Sequence, residues 1–143
     1  MKRRTTRELL MQMLYEMSIQ KDFGTGIRDR YVMRHQIPEE QAPYFNGVYE
    51  ALREHKEEID RTIDQALTSW SISTLGKVEL AILRLGACEI LYMSDSIGPS
   101  VSINEAVELA KKYGEERSFQ LINGALGAIN KKRNGKQEIQ PGN

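Results

Sequence analysis

Apolar positions recur at spacings of three and four along nearly the whole chain, and no Val/Ile/Thr-rich stretch alternates as a half-buried strand does. Leu9, Leu10, Met13, Leu14 and Met17 make one face of a first helix, which Gly24-Thr25-Gly26 is expected to end. Thr5-x-x-Glu8 has the form of a capping box at its start. A shorter helix follows from Ile27 to about His35, stopped by Pro38. Between Glu39 and Trp70 two apolar stripes appear. One is Tyr44, Phe45, Val48 and Leu52; the other is Ile59, Ile63, Ala66 and Leu67. Their phase shifts near Glu54-His55-Lys56, which predicts two helices with a bend or tight junction between them. Glu57 and Arg61 are spaced to pair on the wet face.

Val78 to Met93 is apolar around most of its circumference and is expected to be the central buried helix. Ser94 to Pro99 breaks it. Ser102-x-x-Glu105 reads as a second capping box, opening a helix that Gly114 ends after Lys111-Lys112-Tyr113. A last helix from about Glu116 to Lys132 carries Phe119, Leu121, Ile122, Leu126 and Ile129 on its apolar side. The reading is an all-α fold of about seven helices around one core, a single domain over residues 1–133. Residues 134–143 are expected to form a polar, flexible tail.

Charge narrows the functional classes. Twenty basic residues face 20 acidic ones, so any nucleic-acid contact must come from local clusters. The one cysteine, Cys88, excludes an internal disulfide and multi-cysteine zinc sites, and its apolar helix favours a buried, inert thiol. No apolar run reaches the ~18–20 residues of a membrane span, and the basic start lacks the features of a secretory signal. A reduced, cytoplasmic protein with no membrane association is expected. No acid/base pair, nucleophile constellation or metal-ligand set stands out, so no catalytic residue, metal or cofactor is assigned and an enzyme is the least favoured class.

From Trp70 onward the chain carries a connected set of motifs: Trp70-x-Ile72, Leu75-x-x-Val78-Glu79-x-Ala81-Ile82-Leu83-Arg84-Leu85, and Glu89-Ile90-Leu91. Val101-Ser102-Ile103-Asn104-Glu105-Ala106-Val107-Glu108-Leu109-Ala110-Lys111-Lys112-Tyr113-Gly114, then Ser118 and Leu121-Ile122-Asn123-Gly124-x-Leu126, complete the set. In these motifs the chain resembles the NusB family of bacterial transcription antitermination factors. The basic start leading into Leu14-Tyr15 is also similar to the family's, whereas residues from about Ile19 to Leu67 match only in helical character. The resemblance implies two small helical bundles sharing one core. It implies binding of single-stranded boxA RNA in ribosomal RNA operon leaders, together with the small-subunit ribosomal protein NusE. That complex would join the elongating RNA polymerase and suppress termination, without catalysis. The family pattern differs at four places: Leu121 (or Ile122) stands for an aromatic before Asn-Gly, Arg117 for an acid before Ser118, Thr74 for a basic residue, and Leu80 for another.

Candidate residues follow from both readings. Lys2, Arg3, Arg4 and Arg7 place four cations within six residues, able to settle on phosphates or stack on splayed bases. Lys111 and Lys112 complement a helix C-terminus and are expected to extend that patch. Arg117 and Ser118 open the last helix, whose free N–H groups favour anions. With Leu121 they complete an expected track from the N-terminus to the Lys111–Ser118 corner. The resemblance assigns Glu79, with Tyr15 and Glu16, to NusE contact. Asn123 is expected to be buried and hydrogen-bonded, and Gly124 to admit a close helix approach. Trp70, the only tryptophan, is expected as an inter-helix anchor rather than a base-stacking platform. The competing reading is a helical protein-interaction or rRNA-maturation adaptor, a homodimer included, without direct boxA recognition.

Overall fold

The computed structural model describes residues 1–139, with side chains through 135. Among them are six α-helices and one 3₁₀ turn, and no strand. The helices are α1 (Arg3–Gln20), α2 (Thr25–His35), α3 (Ala42–Ala66), α4 (Lys77–Tyr92), α5 (Pro99–Tyr113) and α6 (Ser118–Ile139), with the 3₁₀ turn at Ile72–Thr74 before α4. The expected bend is present. It falls at His55, whose backbone leaves the helical region (φ −116°, ψ 21°), so α3 is two helical segments meeting at a kink, as the phase shift predicts. The His55 ring stacks on Tyr92 at 4.3 Å, which seats the kink on the end of α4. At this bend the ion pair runs from Lys56 to Asp60, not from Glu57 to Arg61.

α4 is the central helix, packed by α1, α3, α5 and α6. Every residue from Leu80 to Ile90 is buried. α5 and α6 form one close pair, and α2 rests on α1. Gly86 permits the approach of α6: a Cβ there would lie 2.6 Å from Leu126 Cδ1. Cys88 is buried as expected, its thiol directed at the Val48 carbonyl. Burial, with the Glu89 charge second, pushes that thiol up to about 12, so it is not a nucleophile at neutral pH. No helix is long and apolar enough to cross a membrane, among the described residues.

Helix ends differ from the sequence reading. α1 begins at Arg3, with Lys2 as N-cap and no side-chain cap, so Thr5 and Glu8 form no capping box. α1 ends at Gln20, with Lys21 in the left-handed region, before Gly24 is reached. α5 begins at Pro99 behind Gly98, three residues ahead of Ser102. Both supposed capping glutamates reach other helices instead. α6 runs on to Ile139, past Asn134, into the segment expected to be a tail; residues 140–143 of that expected tail lie outside the described residues.

Two charged residues sit within the buried run of α4, and each is fully paired. Arg84 forms a two-pronged contact with Asp60 of α3, both distances 2.9 Å. Glu89 is 1% exposed and accepts from three helices at once. Arg7 of α1 donates to both its oxygens at 2.9 and 3.1 Å, Ser102 of α5 donates at 2.8 Å, and Tyr44 of α3 donates its hydroxyl. A charge buried this deeply is tolerable only when paired and hydrogen-bonded. Burial opposes the Arg7 charge, but the Glu89 hydrogen bond and neighbouring negative groups more than offset it and hold the guanidinium above its ordinary value. Burial and the adjacent carboxylate raise the Tyr44 phenol, so it remains a donor. Replacing Glu89→Ala leaves Arg7 buried without its partner and is expected to cost about 3–5 kcal/mol in urea unfolding. Arg7→Ala combined with Glu89→Ala should cost clearly less than the sum of the two single replacements. A loss below about 1 kcal/mol for Glu89→Ala would show that the pair does not hold the helices together.

Candidate nucleic-acid interface

The period of α1 divides its cations between two faces. Arg3 and Arg7, four apart, turn toward α3 and α4; Arg4 and Glu8, also four apart, turn toward α5. Arg3 donates to Gln41 at 2.9 Å and lies 4.1 Å above the Tyr44 ring. Arg7 is 4% exposed and committed to Glu89. The sequence reading places it on the RNA; its burial makes it a structural residue that orients the start of α1. Lys2 and Arg4 are exposed, and Arg4 reaches Glu105 of α5 at 3.0 Å. Glu105 also stands 3.5 Å from Arg7, so it serves α1 rather than capping α5.

Further along α5, Lys112 donates to Glu8 at 2.8 Å, and the Tyr113 hydroxyl donates to the other oxygen at 2.8 Å. The Lys112 hydrogen bond holds the Glu8 carboxyl below its usual range, and the same contact raises the Lys112 ammonium. Lys111 stands 3.8 Å from Glu108 and 5.5 Å from the Phe119 ring centre. A cleft of about 240 Å³ separates Arg4 from Lys112, and Glu8, Glu105 and Glu108 line it. The expected unbroken positive track is thus an alternation of cations and carboxylates. Lys112 and Arg4 stay largely exposed, while the Glu8 and Glu105 side chains are at most 22% exposed.

The corner at the start of α6 is built by Gly114 and Ser118. A side chain at 114 would meet Ser118 Cβ at 2.8 Å, so glycine lets the chain turn tightly there. The buried Ser118 hydroxyl accepts from the Glu115 N–H at 2.9 Å and donates to Glu79 at 2.7 Å. Beside it opens a cleft of about 410 Å³ whose walls include Trp70, Leu75, Glu79, Arg117 and Leu121. Trp70 is 57% exposed, contrary to its expected role as a buried anchor. Its neighbours Thr68, Ser69, Ser71 and Ser73 are all polar, a signal of exposure that its place between apolar helices outweighed. Asn123 is exposed and Gly124 faces open space, so neither mediates a helix contact; Gly86 takes that part against α6.

Tyr15 and Glu16 lie on a different surface. With Met11, Ile19, Tyr31 and Val78 they line an open cleft of about 520 Å³. Tyr15 is 39% exposed and Ile19 52%, an unusual apolar exposure on a helix whose other face is core. Tyr31 donates to Glu16 at 3.3 Å, and burial, aided by the Glu16 charge, raises its phenol. Glu79, grouped with Tyr15 and Glu16 by the resemblance, instead bonds Ser118 in the Trp70 cleft. Its neighbour Val78 lines the Tyr15 cleft, so α4 divides the two clefts at adjacent residues. Sequence reasoning misses Ile19, Tyr31 and Trp70 because surface placement of apolar residues has no periodic signature in a single sequence.

Comparison with known proteins agrees with this architecture. The NusB family matches residues 4–131. The transcription antitermination protein NusB of Clostridium novyi (strain NT) is 39% identical over 129 residues, which are 89% of this chain and 96% of that protein. Among solved structures, T. maritima NusB superposes with a TM-score of 0.85 at 27% identity, covering 97% of this chain and 99% of that one. A chain from the crystal structure of antitermination factors NusB and NusE in complex with dsRNA superposes with a TM-score of 0.80 at 30% identity, over 91% of this chain and 96% of that one. The motifs along α4, α5 and α6, the all-helical fold and the match over nearly the full length together place this chain in the NusB family.

Proposed function

We propose that this chain is a transcription antitermination factor of the cytoplasm. It binds boxA-type single-stranded RNA of ribosomal RNA operon leaders together with NusE, and joins the elongating RNA polymerase. The observation that carries the reading is the likeness, over 91% of the chain, to a structure of NusB and NusE with RNA. The work is binding, and no catalytic step is assigned to any residue.

In this reading the RNA contacts are Lys2, Arg3, Arg4, Lys111, Lys112, Arg117, Ser118 and Leu121. Arg7 acts behind them, holding α1 through Glu89. Exposed Lys2, Arg4 and Lys112 reach phosphates, and each such contact releases counterions. Arg117 and the first N–H groups of α6 favour a further phosphate. NusE takes the cleft of Tyr15 and Glu16, whose exposed apolar side chains suit burial against a protein, with Glu79 at its border. The solved relative was crystallised with dsRNA, so the direct test sets single-stranded boxA RNA against its duplex, with and without NusE, by fluorescence anisotropy over a salt series. The reading expects tighter, salt-sensitive binding of the single strand when NusE is present; equal binding to an unrelated RNA overturns it.

The charge arrangement leads to two expected outcomes. Joint replacement of Arg3, Arg4 and Lys112 by alanine should weaken boxA binding and flatten the plot of log K against log salt by about 0.7 for each phosphate no longer neutralised, roughly 2 in all. An unchanged slope would remove these residues from the interface. Glu8→Gln takes a negative charge from beside Lys112 and should tighten RNA binding a few-fold at low salt; weaker binding would mean that Glu8 positions Lys112 rather than competes for it.

A further inference from the structure

Among the described residues, Trp70 is the one large aromatic side chain held out of the core beside the proposed RNA surface. More than half of it is exposed, on the segment between α3 and the 3₁₀ turn. An indole is costly to leave in water, and its neighbours give no core for it to join. It forms instead one wall of the 410 Å³ cleft, a size within the range of sites that take small ring systems. Leu75 and Leu121 supply apolar surface in the same cleft. Arg117 lines it too, exposed and without an ion pair among the described residues. Glu79 and Glu115 also line it, and Glu79 is already hydrogen-bonded to Ser118. Apolar walls, an aromatic face and an unpaired cation fit a nucleotide whose base lies against Trp70 and whose phosphate is held at Arg117.

We infer that one unpaired base of the bound RNA is turned out of the strand and stacks on Trp70 in this cleft, while Arg117 holds the adjoining phosphate. The inference rests on the RNA-binding reading and adds to it a specific base pocket, which meets the Tyr15 cleft at the adjacent residues Val78 and Glu79. A stacked base requires a single strand at that point, so the pocket also favours unpaired RNA over duplex.

The test uses the full chain, alone and with NusE, and a boxA-type single-stranded RNA. A second set of oligonucleotides carries one abasic site at each position in turn. Trp70 is the only tryptophan, so this chain's tryptophan emission, excited selectively over that of its six tyrosines, reports on this cleft. Quenching on RNA addition to the isolated chain is expected. Trp70→Ala should weaken binding about 5- to 150-fold, the span for loss of one base–aromatic stack, while Trp70→Phe stays within about 5-fold of wild type. One abasic position should reproduce the loss in the wild-type protein and add little to Trp70→Ala. Trp70 is exposed, so thermal unfolding of Trp70→Ala should match wild type and exclude misfolding. Wild-type affinity in Trp70→Ala, together with unquenched tryptophan emission in the RNA-bound wild-type chain, overturns the base pocket and leaves the antitermination reading standing. Failure of the wild-type chain to bind the RNA, alone or with NusE, overturns both.

Discussion

A single buried carboxylate sets the geometry of this molecule. Glu89 lies inside the most apolar helix, where an unpaired charge would not be tolerated, and α1, α3 and α5 each donate to it. Apolar packing alone could be satisfied with α1 rotated or slid by a fraction of a turn, because Leu and Met surfaces interchange easily. The forked contact from Arg7 has far stricter directional demands. It fixes which way α1 faces, and therefore where Lys2, Arg3 and Arg4 emerge. The second ionic contact in α4, Arg84 with Asp60, ties the same helix to the segment of α3 beyond the kink. The core is thus apolar by area and ionic by registration.

Much of the fold is legible in the sequence because helical periodicity is a local signal. The buried course of α4 follows from Leu80 to Ile90, and the kink at His55 from the phase shift between the Tyr44 and Ile59 stripes. Features that depend on distant partners are not legible. Glu8 and Glu105 have the spacing of capping residues, yet their carboxylates lie against Lys112 and Arg4, about a hundred positions away in the chain. Nothing local distinguishes the two uses. Arg7 is in the same position: within a run of four cations it reads as surface, and only the partner on α4 makes it core. Among the candidate residues, Lys2, Arg4, Lys111, Lys112 and Arg117 are exposed, and Ser118 opens α6. Trp70 does not lie where the sequence suggests, because an apolar residue flanked by polar ones in a loop has no period to reveal its side.

The two clefts are arranged about neighbouring residues of one helix. Val78 lines the cleft of Tyr15 and Ile19; Glu79 lines that of Trp70 and reaches Ser118. Tyr113 belongs to the first cleft and donates to Glu8, which holds Lys112. The wall of the first cleft is thus tied by two hydrogen bonds to a cation proposed to meet RNA.

The alternation of Arg4, Glu105, Glu8 and Lys112 has a consequence for life in a crowded cell. A polyanion approaching this face meets cations already engaged, and must displace carboxylates before it gains anything. Adhesion of an arbitrary polyanion to this face is thereby weakened. Only a strand that offers further attachment points, or arrives alongside a second protein, recovers what that displacement costs. Selectivity of this kind resides in the occupied state of the surface before any partner has come.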